Sequence, residues 1–79
     1  MITVTVYFYG TLPRRFAGYD PQQGYTVALR QGADISNLLG HLGLAREKVA
    51  PVINGITADH CRKLADGDRV RLFQPVQGG

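Results

Sequence analysis

The chain has 79 residues, 44% of them hydrophobic and 19% charged. That is a globular composition, too short to divide into two cores and too apolar for a disordered chain. No apolar run approaches the roughly 18 residues of a membrane span, and the single cysteine, Cys61, can form no internal disulfide. The formal charge of +3 is mild. The Lys and Arg residues are scattered along the chain without a long run. Charge alone therefore does not argue for nucleic acid, and an acidic protein surface suits it at least as well. The opening residues lack the basic and apolar blocks of a signal peptide, so the cytoplasm is the expected compartment.

In chain order, Ile2, Val4, Val6 and Phe8 alternate with Thr3, Thr5, Tyr7 and Tyr9. This period of two predicts a half-buried strand, ended by Gly10. Residues 11–24, rich in Pro and Gly, read as a loop. Residues 25–30 read as a second strand, with Tyr25, Val27 and Leu29 on one face, pairing with the first as a hairpin. Asp34 is a good helix N-cap. Ile35, Leu38, Leu39 and Leu42 then follow the i, i+3, i+4, i+7 spacing of one helical stripe, and Gly43 stops it. Residues 49–53 predict a strand, and Asn54-Gly55 a tight turn into a further short strand. Residues 57–68 carry turn chemistry around one apolar anchor, Leu64. Residues 69–74 predict the last strand, with Val70 and Leu72 inward and Arg69, Arg71 and Phe73 outward; Pro75 ends it.

One helix can cover only one face of a sheet, which makes this an α+β two-layer domain. The uncovered face would carry Thr3, Thr5, Tyr7 and Tyr9. If the first and last strands are neighbours, Arg69, Arg71 and Phe73 join them in one aromatic and cationic patch. Tyr, Phe and Arg are enriched at protein interfaces. The same residues could serve as a platform for single-stranded nucleic acid, which is the weaker reading.

The chain closes on Pro75-Val76-Gln77-Gly78-Gly79. Two terminal glycines are slender and permit close backbone approach. The Gly79 carboxylate is unhindered, so such a tail suits delivery of a carboxylate into another protein's active site. A frayed terminus without meaning is the alternative, and composition leaves both open.

The opening strand running into FYGTL, the helix ISNLLGHLGL, then VINGITA and LADGDRVRLFQPVQGG together resemble the MoaD/ThiS family of sulfur carriers. The last stretch is the most specific, and the resemblance covers nearly the whole chain. It implies a ubiquitin-like β-grasp fold over residues 1–79: a mixed sheet with one helix packed on one face. The end of apolar alternation at Pro75 and the two terminal glycines make residues 75–79 an expected flexible tail. The resemblance also implies a carrier rather than an enzyme. A ubiquitin-activating-like adenylyltransferase would use ATP to adenylate Gly79, with Gly78 its required neighbour, and sulfur transfer would then give a thiocarboxylate. The acceptor would be the large subunit of molybdopterin synthase or, alternatively, thiazole synthase of thiamine biosynthesis. The long loop after the first strand and the Pro75-Val76 ending favour the molybdopterin branch. Gln74-Pro75 departs from the double proline often found there. Tyr7, Tyr9, Arg71, Phe73, Pro75 and Val76 are the expected partner-binding residues. A ubiquitin-like modifier and a β-grasp RNA-binding module are further alternatives.

No bound cofactor and no metal are expected, because His41, His60 and Cys61 match no common ligand spacing. His41 is expected to face solvent. Cys61 is expected to be a semi-buried structural thiol rather than a nucleophile. The glycines form neither GxxxxGK[ST] nor GxGxxG.

Overall fold

A computed structural model describes residues 1–74. The expectations placed on Pro75, Val76, Gly78 and Gly79, including a flexible tail, lie outside the described residues. Five strands and one α-helix follow in the order β1 (Ile2–Phe8), β2 (Tyr25–Leu29), α1 (Ile35–His41), β3 (Ala50–Ile53), β4 (Ile56–Thr57) and β5 (Arg69–Phe73). The sheet order is β2-β1-β5-β3-β4. β1 and β5 are parallel, and every other pairing is antiparallel. This mixed sheet with one helix is the β-grasp architecture expected from the sequence.

Alternation decides which side of each strand is buried. Ile2, Val4, Val6 and Phe8 of β1, Val27 and Leu29 of β2, and Val70 and Leu72 of β5 all lie in the core. The helix sets Ile35, Leu38 and Leu39 against them. Leu42, at the C-cap, is only partly buried, so the stripe is shorter than its spacing predicts. At seven residues the helix could not stand alone and depends on packing and its ends. Asp34 and Asn37 form a reciprocal capping box, at 2.9 and 3.0 Å. At the other end the Leu44 N–H reaches the Leu39 carbonyl at 2.8 Å, and the Gly43 N–H reaches Gly40 at 3.2 Å. Gly43 sits at φ 75°, so the helix closes in a Schellman motif.

The Asn54-Gly55 turn is as predicted. Both residues have positive φ, 54° and 79°, and Ile53 pairs with Ile56 across the hairpin. Leu64 is buried and its N–H donates to the Ala33 carbonyl, anchoring the long connection. That connection also satisfies the start of the helix, because Ile35 and Ser36 donate to the Arg62 and His60 carbonyls.

The 11–24 segment is more than a loop. It opens with a 3-10 turn, Leu12–Arg15, whose Leu12 is fully buried. Phe16 then stacks on Phe8 at 4.1 Å, and Tyr19 meets Phe8 edge-on at 5.0 Å. The cause lies in the register. Pairing of β1 with β2 ends at Val6–Tyr25, which leaves the Phe8 N–H beyond the ladder. The Tyr19 hydroxyl accepts that N–H at 3.0 Å.

Candidate functional site

The parallel pairing of β1 with β5 brings distant outward residues together. Thr5 lies beside Arg69 and Tyr7 beside Arg71. One step further on, Tyr9 stacks on Phe73 with ring centroids 4.5 Å apart and planes 12° apart. The Tyr9 N–H donates to the Leu72 carbonyl at 3.1 Å, which extends the ladder to hold that stack. β3 adds Ala50 beside Phe73 and Val52 beside Arg71. The patch expected of Tyr7, Tyr9, Arg71 and Phe73 is therefore contiguous.

Its residues are not equally open. Tyr9 and Phe73 keep 38% and 37% of their surface exposed, a high value for rings already stacked on each other. Thr5 and Tyr7 are half-buried by their neighbours. Gly24, at φ 81°, borders Tyr7. A Cβ there would stand 2.5 Å from the Thr5 methyl and 3.0 Å from the Tyr7 ring, so only glycine lets these side chains lie flat.

Beyond the stack, the chain leaves β5 through a clasp that sequence reasoning missed. Both the backbone N–H and the hydroxyl of Thr11 donate to Gln74 Oε1, the former at 3.2 Å. Gly10, at φ 70°, approaches closely enough that a Cβ would meet the Gln74 Cβ at 3.3 Å. The residue after β5, Gln74, is thus tied to the turn that follows β1. The only signal for this clasp was the parallel pairing itself, which puts Gly10 and Gln74 at the same end.

The other candidates separate. Cys61 is exposed, which corrects the semi-buried expectation: it lies in the turn after Asp59, whose carboxylate accepts its backbone N–H at 2.9 Å. His41 and His60 are exposed. No group of His, Cys, Asp or Glu among the described residues could hold a metal ion. None of the described helices is long and apolar enough to cross a membrane.

Solved structures share this fold. A protein described as molybdopterin converting factor, subunit 1, from Pyrococcus furiosus superposes with a TM-score of 0.77 at 23% identity, covering 96% of this chain and 100% of its own. SAMP1 from Haloferax volcanii gives 0.72 at 24% identity, covering 98% and 99%. A second structure from H. volcanii, small archaeal modifier protein 1, gives 0.77 at 21%, covering 96% and 100%. At these identities the likeness speaks for the fold. No curated protein matches in sequence. The model of the ThiS family matches residues 11–79, from the Thr11 clasp through the terminal glycines. The chain therefore belongs to the ThiS family, and its fold is the ubiquitin-like β-grasp.

Proposed function

We propose that this protein is a sulfur carrier whose working group is the Gly79 carboxylate. The observation that carries the reading is the family match over residues 11–79, which takes in both Gly78 and Gly79. A carboxylate is a poor acyl donor until activated. In the proposed sequence a Gly79 carboxylate oxygen attacks the α-phosphorus of ATP in an adenylating enzyme, and pyrophosphate leaves. A hydrosulfide equivalent then attacks the adenylated carbonyl, a C–S bond forms and AMP leaves. The resulting thiocarboxylate donates sulfur in cofactor biosynthesis, in the manner of the small subunit of molybdopterin synthase; thiazole formation is the alternative destination. The protein is then a cosubstrate, and ATP is bound by its partner. Tyr7, Tyr9, Arg71 and Phe73 supply the docking surface, an aromatic centre with a cationic edge. Gly78, Pro75 and Val76 belong to the segment inserted into the partner.

Intact mass after incubation with ATP, a sulfur donor and the adenylating enzyme tests this. A gain of about 16 Da, oxygen replaced by sulfur, is expected. An unchanged mass in the presence of active enzyme contradicts it. The fold shared with small archaeal modifier protein 1 supports a second reading, in which the activated Gly79 is passed to lysines. That reading shares the adenylation step and predicts covalent conjugates on target proteins in place of the mass gain.

A further inference from the structure

The nine cations look dispersed in the sequence, but the fold concentrates their excess. The ion pair between Arg15 and Glu47, at 2.8 Å, ties the turn after β1 to the loop before β3. Arg14, Arg15, Arg46 and Lys48, all exposed, lie on these two segments. Both segments stand at the end of the sheet where the chain leaves β5. The Thr11 clasp on Gln74 fixes the first there, and the pairing of Ala50 with Phe73 fixes the second. Four cations against Glu47 give this collar a net +3, which equals the formal charge of the whole chain. The remaining five cations and five acids cancel. The molecule is therefore polar, with its unbalanced positive charge gathered around the root of the C-terminal segment.

We propose that this collar steers the C-terminus into its adenylating partner by pairing with an acidic rim at the mouth of the receiving site. The inference rests on the carrier reading above. Several observations specify the partner's chemistry. The collar adjoins the Tyr9–Phe73 stack, so together they form the apolar centre and charged border of one protein-binding surface. An acid sits within the collar and is engaged by Arg15, which suits interleaved contacts with carboxylates better than a track of phosphates. The collar residues are open to solvent, where charge acts mainly on encounter rate rather than on the bound state. Its effect belongs in kcat/KM and its salt dependence, not in kcat.

The test compares two doubly reversed proteins with the parent in steady-state adenylation by the purified adenylating enzyme of the source organism. Arg46→Glu with Lys48→Glu reverses two collar positions outside the Arg15–Glu47 pair. Arg30→Glu with Arg62→Glu makes the same change in net charge at positions away from the collar. At low salt the collar variant should lose about tenfold or more in kcat/KM with kcat retained, the scale of electrostatic steering. The gap should close toward about 1 M salt, where the Debye length falls to roughly 3 Å. The distal variant should stay within about twofold of the parent at every salt concentration. Equal losses in the two variants, or none in the collar variant, overturn the collar while leaving the carrier reading intact. A parent that supports no adenylation removes the carrier reading and the collar with it. Loss of single-stranded RNA binding in the collar variant, with parent-level adenylation kinetics, reassigns the surface to nucleic acid and overturns the proposal.

Discussion

The same two strands present two unlike surfaces. Along the inner face of β1 and β5, Val6 lies beside Val70 and Phe8 beside Leu72, and Val6, Val70 and Leu72 are sealed completely. Along the outer face, one residue out of step, Tyr7 lies beside Arg71 and Tyr9 stacks on Phe73, each of the stacked residues remaining more than a third exposed. The helix covers the first face, while among the described residues no element packs over the second. Hydrophobic side chains on the inner face are held by the core. Those on the outer face are held mainly by one another, so they contribute contact area without being needed to close the fold. Strand pleating thus separates what stabilises the domain from what is free to meet a partner.

The sharpest way to break this separation is at Leu72 and Phe73, adjacent in sequence and opposite in face. Leu72→Ala should cost about 2–5 kcal/mol of stability, the usual loss for a sealed leucine. It is read by denaturant unfolding. A cost well under about 1 kcal/mol would mean that the inner face does not govern stability. The outer face has its own vulnerable point at Gly24. Gly24→Ala places a side chain at positive φ and against the Thr5 methyl, so a loss of about 1–3 kcal/mol is expected. A neutral result would show that the Thr5–Tyr7 surface can shift aside. Phe73→Ala should have the smallest effect on folding and weaken partner binding by about 1 kcal/mol, roughly fivefold in Kd. Unchanged affinity for the adenylating enzyme would remove the outer face from the docking surface.

Elements with a regular period were legible in the sequence. The alternation of Ile2, Val4, Val6 and Phe8 identifies β1, Asp34 and the following leucines identify the helix, and Asn54-Gly55 marks the hairpin. Each of these signals is local, set by a turn, a cap or a repeat within a few residues. What was not legible depends on pairing at long range. Phe16 and Tyr19 have no period, and they reach the core because β2 stops short of Phe8. The Thr11–Gln74 clasp joins positions 63 apart, and the Arg15–Glu47 pair positions 32 apart. The exposure of Cys61, in a turn without periodic apolar residues, is not something composition encodes. Of the candidate site, the outward aromatics were readable from alternation alone. Their meeting with Arg71 and Phe73 required the first and last strands to be neighbours, as in the β-grasp that the family resemblance implied, and the structure pairs them in parallel.

The central claim, that function resides in a free carboxylate at Gly79, is tested most directly by pyrophosphate exchange. Attack on ATP requires a carboxylate oxygen, and any residue added after Gly79 converts that group to an amide. Deleting Gly79 keeps a carboxylate but shortens its reach by about 3.3–3.6 Å, and a misplacement of about 1 Å can already cost roughly 100-fold in a positioned reaction. Among the described residues the last buried one is Leu72, so both variants should melt like the parent. The account predicts exchange with the parent and none above background with a protein extended by one residue. Parent-level exchange from the extended protein, with intact mass showing that the added residue is still present, would contradict it.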